Sequence, residues 1–125
     1  MSITDFDAWL AREYEDEGSF TALVVLVAIG ETQANPVAST FVNVIGTEVT
    51  WAELVRLFAG SGQSWDGAAF FPRRDAAGNP LPNPTARIGL RDLELRLEED
   101  RLVLNEGHFF DAWGRRLRID ETTLQ

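Results

Sequence analysis

The chain has 125 residues, of which 45% are hydrophobic and none is cysteine, and its formal net charge is −9. This length predicts one domain over residues 1–125, and the ordinary hydrophobic content argues against wholesale disorder. Without cysteine, a disulfide framework and any thiolate metal site are excluded. Asp5 and Asp7 stand where a secretory signal would carry positive charge, so we expect a cytoplasmic protein.

The negative charge is concentrated in the first half of the chain. Residues 1–60 hold nine acidic and two basic side chains, a net charge of −7, whereas residues 61–125 hold eleven and nine. An acidic surface repels phosphate groups, which disfavours direct binding to nucleic acids or anionic membranes. The same surface suits a basic protein partner, and solubility alone is the alternative explanation for it.

The most apolar stretch predicts a central buried strand. Ala22 to Ile29 is a run of eight residues without a polar side-chain atom, and it ends at Gly30. Because it is rich in β-branched residues, we interpret residues 21–30 as a strand covered on both faces, with Val25 and Val27 fully buried. A buried helix is the alternative, since an all-apolar run carries no periodicity. The run is shorter than the roughly 20 apolar residues that a membrane span needs.

Two helices are predicted in the first half. The first spans residues 3–17, where Thr4 can cap the start and Asp7 follows three residues later. The second spans residues 51–59, with Thr50 as the cap and Glu53 as its partner. Each has an apolar stripe at helical spacing: Ile3, Phe6, Leu10 and Tyr14 in the first, and Trp51, Leu54, Val55 and Phe58 in the second.

Most of the remaining chain predicts strands. Residues 37–45 favour a strand that forms a hairpin with residues 21–30, and residues 65–71 favour a short strand. Residues 72–86 hold four of the five prolines and predict a long loop. In residues 92–97, leucines alternate with charged residues, which predicts a half-exposed strand that returns through residues 102–104. A helix over residues 89–100 is the alternative, because Leu90, Leu93 and Leu97 also share a helical face.

The end of the chain predicts another hairpin over residues 109–119, with Gly114 at its turn, and a frayed tail at 120–125. The expected architecture is therefore α+β, with two helices packed on a mostly antiparallel sheet of five to seven strands.

His108 is the only histidine, and it lies between Glu106 and Asp111. A histidine among carboxylates can act as a general base, but no serine lies in a nucleophile-elbow sequence. Strand alternation would place Glu106 and His108 on one face, where with Asp111 they supply part of a metal site. An ordinary hairpin histidine is the simpler interpretation, and we predict neither a metal nor a cofactor.

Two tryptophan–aspartate pairs beside glycine form the second candidate site, Trp65-Asp66-Gly67 and Asp111-Ala112-Trp113-Gly114. The structural interpretation is that each aspartate caps a turn while the tryptophan covers the core edge. The functional interpretation is an aromatic-lined ligand pocket with a polar rim, which His108 would join. Arg73 and Arg74, in the proline-rich loop, would add an anion contact.

The third candidate is acidic. Four carboxylates, Glu13, Glu15, Asp16 and Glu17, crowd the end of the first helix, where the helix dipole disfavours them. Either the helix frays there or the cluster is retained for a basic partner.

We therefore expect a non-enzymatic acidic protein-binding module, such as an adaptor, inhibitor or immunity-type protein, that meets a basic protein surface with this cluster. A small-ligand-binding or minor hydrolytic domain using Trp65, Asp66, His108, Asp111 and Trp113 is the alternative, and a nucleic-acid mimic is a third. The sequence does not indicate an oligomeric state.

Overall fold

The computed structural model describes residues 3–31, 33–46 and 49–118. Its elements are α1 (Asp5–Glu17), β1 (Phe20–Ile29), β2 (Ala34–Val44), α2 (Trp51–Ala59), β3 (Gly67–Arg73), α3 (Asn83–Glu99), a 3₁₀ helix (Arg101–Glu106) and β4 (His108–Asp111). The four strands form one antiparallel sheet in the order β2-β1-β3-β4. The predicted α+β class is confirmed.

β1 lies in the interior of the sheet, as its apolar sequence predicts. It pairs with β2 on one side and with β3 on the other. Val25 and Val27 are 1% and 0% exposed, so the strand interpretation and the burial of both faces are confirmed. The hairpin with β2 is confirmed too, and its register shifts once, where Leu26 pairs with Ala38 but Val27 pairs with Pro36.

Alternate side chains of β1 enter two separate hydrophobic layers. Leu23, Val25 and Val27 face the layer that contains Leu93 and Leu97 of α3. The opposite layer contains the buried side chains of α1 and α2 and most of the aromatic rings: Phe6, Trp9, Phe20, Trp51, Phe58, Phe70 and Phe110. Helices therefore cover both faces of the sheet, as a strand that is apolar on both faces requires.

The predicted caps of α1 and α2 are confirmed. Asp7 N donates to Thr4 Oγ1 at 3.0 Å, and Glu53 N donates to Thr50 Oγ1 at 3.3 Å. The Asp7 carboxylate also accepts a hydrogen bond from Trp51 N at 3.0 Å. One aspartate thus ties the starts of the two helices together.

The strand prediction for residues 92–104 is wrong, because these residues form the end of α3 and the 3₁₀ helix. Ala86, Leu93 and Leu97 share one helical face and are at most 2% exposed, whereas Leu95 is 54% exposed. The alternation of leucine with charged residues covers too few positions to distinguish the two-residue period of a strand from the 3.6-residue period of a helix. The apolar stripe that extends back to Ala86 fits only the helix. The alternative helix over residues 89–100 was the better interpretation, although the helix begins earlier.

The predicted loop over residues 72–86 is also too long. β3 continues to Arg73, and α3 begins at Asn83 with Pro84 in its first turn, where a missing N–H breaks no helical hydrogen bond. The described residues thus contain four strands rather than five to seven, and three α-helices with one 3₁₀ helix rather than two helices.

The final hairpin is confirmed at its turn. Gly114 has a φ of +80°, and Gly114 N donates to Asp111 O at 3.0 Å. The return strand is reduced to a bridge between Phe110 and Arg116. The predicted tail at 120–125 lies outside the described residues.

Candidate functional site

The tryptophan–aspartate candidates meet at one end of the sheet. Gly67 pairs with Asp111, so Asp66 lies beside the end of β4. His108 pairs with Phe70 at the other end of the β3–β4 ladder, about 10 Å away along the strand. The structure therefore places Asp66 and Asp111 at the same end of the sheet and His108 at the other end of the β3–β4 ladder.

Asp111 closes the turn that follows β4. Its carboxylate accepts hydrogen bonds from Trp113 N at 2.8 Å, from Arg115 N at 3.0 Å and from Arg115 Nε at 2.8 Å. Burial on its own would raise the pKa of Asp111, but these hydrogen bonds and the charge of Arg115 outweigh it, and the pKa is lowered. Asp111 is thus an ionised turn cap.

Replacing Asp111 by asparagine is expected to destabilise the fold by about 1–2 kcal/mol at neutral pH, because the charge-assisted bond to Arg115 is lost. A carboxyl group with a lowered pKa stabilises the fold above its ordinary value of about 4, and that contribution disappears as the pH falls through the folded-state pKa. The stability difference between wild type and variant should therefore shrink as the pH is lowered from about 6 to about 3.

Urea unfolding at several pH values measures this difference. Asp16→Asn changes an exposed carboxylate of α1 and is the matched control, which should lose no stability at neutral pH. A stability loss in Asp111→Asn that stays constant over this pH range would contradict the assignment.

Asp66 and Trp65 also have structural contacts. Ile29 N donates to Asp66 Oδ2 at 2.7 Å, which holds the end of β1. The Trp65 ring lies edge-on to Trp51 and Phe58, with ring centroids 6.2 and 5.5 Å away. The Trp65 contacts agree with the structural interpretation of this pair, whereas the Asp66 carboxylate bonds to the end of β1 instead of capping its own turn.

Trp113 is the more exposed tryptophan of this group. Its side chain is 70% exposed, and the Arg115 guanidinium carbon lies 5.0 Å from its ring centroid. The described contacts thus make Asp111 a turn cap, tie Asp66 to the end of β1 and place Trp65 at the core edge, and Trp113 covers the outside of the hairpin.

His108 is held between a ring and a cation. Its ring is stacked on Trp9 with centroids 4.6 Å apart, and its Nδ1 lies 3.2 Å from Arg116 Nη1. Burial lowers the pKa of His108, Arg116 lowers it further, and Glu13 opposes the shift. The lowered pKa favours the neutral imidazole, and Nδ1 accepts a hydrogen bond from the guanidinium, which can only donate.

Glu106 has a cationic partner. Its Oε1 lies 2.6 Å from Arg96 Nη2, and both side chains are about half exposed. Arg73 lies near this pair, and its pKa is lowered by burial and by Arg96, while Glu106 opposes the shift. The described part of the chain contains no group of three or more His, Asp or Glu that could hold a metal ion.

Arg74 explains how α1 tolerates an acidic end. Its Nη1 lies 2.8 Å from Glu13 Oε2, and these side chains are only 17% and 19% exposed. Arg74 Nη2 also donates to Gly18 O at 2.8 Å, and its Nε donates to Ser19 O at 3.3 Å. The guanidinium thus supplies the positive charge that the C-terminus of a helix favours. Glu13 and Arg74 belong to this internal contact, whereas Glu15, Asp16 and Glu17 are exposed.

The two edges of the sheet differ sharply. At the β4 edge, Asp111 N donates to Arg115 O at 2.8 Å and Leu117 N donates to Phe109 O at 2.7 Å, so the return of the hairpin covers the strand. At the other edge lies β2, with eleven residues and no charged side chain. No other strand of the described chain pairs with the outer side of β2.

Natural proteins usually protect an exposed edge with charge, proline, a bulge or short length. β2 has such protection only near its start, at Pro36 and the register shift beside it. The seven pairs from Ala38 to Val44 continue without irregularity. This second part of β2, Ala38–Val44, is hereafter the open edge.

A cleft of about 350 Å³ lies on the α3 side of β2. Its wall on α3 carries Glu94 and Glu98, which are hereafter the acidic wall. Ser39 Oγ on the strand donates a hydrogen bond to Glu94. Arg101 also lines this cleft, but its guanidinium donates to Ala34 O at 3.1 Å and to Leu97 O, near the protected start of β2. The acidic wall therefore lies beside Ser39.

A second cleft, of about 320 Å³, lies on the α2 side of the same strand. Leu26, Leu57 and Phe58 contribute apolar surface there, and Leu57 is 56% exposed. Ala38 and Ser39 line both clefts, so the open edge has a depression on each face.

Sequence reasoning predicted β2 but missed this surface. The sequence paired β2 with β1 without showing that β3 takes the other side of β1. The absence of charge in residues 34–44 was the available signal, since a long uncharged strand at an edge is unusual. The acidic wall was unpredictable while residues 92–97 were interpreted as a strand.

No protein-family model, curated protein or solved structure matches this chain. Among the described residues, none of the helices has the length and apolar character needed to span a membrane.

Proposed function

We propose that this protein is a non-enzymatic acidic binding module, of the adaptor, inhibitor or immunity type, that binds an extended segment of another protein by strand addition to β2. The observation that supports the proposal is the open edge. Within the described part of the chain, no other strand pairs with the outer side of these residues, and none of them carries a charged side chain that would oppose an added strand.

The two clefts support the same proposal. In strand addition, main-chain hydrogen bonds supply affinity, and depressions beside the edge receive alternate side chains of the added segment. Ala38 and Ser39 lie between such depressions. An added strand would therefore place its side chains alternately in the two clefts.

The charge of the chain indicates which partners are favoured. With a net charge of −9, the protein attracts a basic segment and repels an acidic one. Glu15, Asp16 and Glu17 contribute to this attraction at a distance, because they are exposed. Glu13 is excluded from that role because it is paired with Arg74.

Selection of peptides from a random display library on the immobilised protein tests this function. We expect selected peptides to shift the backbone amide signals of the open edge in nuclear magnetic resonance spectra. N-methylation of every second peptide nitrogen should abolish binding, while methylation of the intervening nitrogens should be tolerated, because alternate N–H groups of an added strand face the sheet.

Three outcomes would overturn the proposal: no selected peptide, shifts confined to another surface, or equal tolerance of both methylation patterns. Concentration-dependent dimerisation that shifts the same amides would identify a second copy of this chain as the occupant and would also overturn it.

Association with a basic peptide should slow as salt rises, because exposed charges are screened beyond about 8–10 Å at physiological ionic strength.

A further inference from the structure

If the proposed strand addition is correct, the two faces of the open edge select different side chains of the bound segment. β2 pairs with β1 so that Ser39 lies opposite Val25, on the α3 face, and Ala38 lies opposite Leu26, on the α2 face. An added strand would continue the same pleat, so its successive side chains would face the two clefts alternately.

On the α3 face, the added side chains meet carboxylates. Glu94 reaches Ser39 across the cleft, and Glu98 lies one helical turn further along the same wall. The cation of this cleft, Arg101, is engaged by the backbone carbonyls of Ala34 and Leu97. A positively charged side chain on this face would therefore meet the acidic wall.

On the α2 face, the added side chains meet hydrocarbon. Leu26 and Phe58 form the floor of this cleft and are each 2% exposed, while Leu57 stands at its side and is 56% exposed. Covering Leu57 removes apolar surface from water, which favours an apolar side chain on this face of the ligand.

We infer that the partner segment bound at the open edge is a strand in which basic and apolar residues alternate, with its basic side chains toward Glu94 and Glu98 and its apolar side chains toward Leu57. The segment is thus recognised by its pattern as well as by its net charge.

Two synthetic peptides of equal composition test this inference. In the first, arginine and valine alternate over about nine residues, and in the second the same residues stand in two blocks. Binding measured by calorimetry should be at least about tenfold tighter for the alternating peptide, since only that peptide satisfies both clefts at once.

Two variants locate the contacts. Glu94→Gln with Glu98→Gln should weaken the alternating peptide about three- to tenfold, as expected for two partly exposed charge pairs. The glutamine can still accept the Ser39 hydrogen bond, so the fold is retained. Leu57→Ser should weaken binding about tenfold through lost apolar contact.

Matched controls change the same chemistry elsewhere. Glu15→Gln with Glu17→Gln removes an equal charge at the end of α1 and should lower the association rate without raising the dissociation rate. Ile88→Ser removes an apolar side chain that is 65% exposed on α3 and should leave binding unchanged.

Equal affinity for the two peptides, or equal effects of the Glu94/Glu98 and Glu15/Glu17 pairs on dissociation, would overturn the alternating pattern. If library peptides of another pattern still shift the amides of the open edge, the proposed function stands and this inference alone fails. If neither the library nor the alternating peptide affects those amides, both fail.

Discussion

Replacing Val25 by aspartate is expected to abolish folding. Val25 is 1% exposed in the interior of the sheet, with β2 and β3 on its two sides and α3 over its face. A carboxylate at this position would be buried without a partner, at a cost of several kcal/mol even if the group takes up a proton. That cost is comparable to the whole stability of about 5–15 kcal/mol that a small domain has.

Circular dichroism and thermal unfolding measure this effect. Ile29→Asp places the same side chain in the same strand, at a position that is 43% exposed, and this control should fold. A soluble Val25→Asp variant that unfolds cooperatively would contradict the central position of β1.

Replacing Gly107 by alanine is the second substitution with a large expected effect. A Cβ atom there would lie 2.8 Å from Phe70 O and 2.8 Å from two ring carbons of Phe71. Phe71 is only 2% exposed and Phe70 O belongs to the β3 backbone, so neither can move without disturbing the sheet. We expect a loss of about 2–3 kcal/mol in unfolding free energy.

Gly89→Ala provides a control of opposite sign. A Cβ atom at Gly89 would lie 3.5 Å from Leu23 Cδ1, which is an ordinary contact, and alanine in the interior of α3 should stabilise the helix by up to about 1 kcal/mol. Urea unfolding of both variants measures the contrast. Equal stability of Gly107→Ala and wild type would show that β3 and the 3₁₀ helix pack less closely there.

Local patterns predicted the first half of the fold well. Thr4 and Thr50 mark the starts of α1 and α2, and the apolar run at 22–29 identifies β1, because capping and continuous burial depend on residues that are close together in the sequence. The error at residues 92–104 has a different origin. Leu93, Leu95 and Leu97 satisfy the strand period, and the tertiary position of Leu95 at the surface separates the two possibilities.

The candidate sites were less predictable, because they depend on which residues meet in space. Asp111 was singled out from sequence, and its role as a turn cap follows from hydrogen bonds within its own turn. The interaction of Glu13 with Arg74 joins positions 61 residues apart, and no local sequence pattern predicts it. The open edge likewise depends on the order of strands in the sheet.

The contrast between the two sheet edges has a consequence for stoichiometry. Growth of a β-sheet from molecule to molecule requires two free edges on each copy, so that every arrival offers a new place to pair. Here the return of the final hairpin occupies the β4 edge, through the bonds from Leu117 to Phe109 and from Asp111 to Arg115. If a segment of another chain pairs with β2, the four strands of the described chain then offer no further uncovered edge, and growth through these strands would stop at one added segment for each copy.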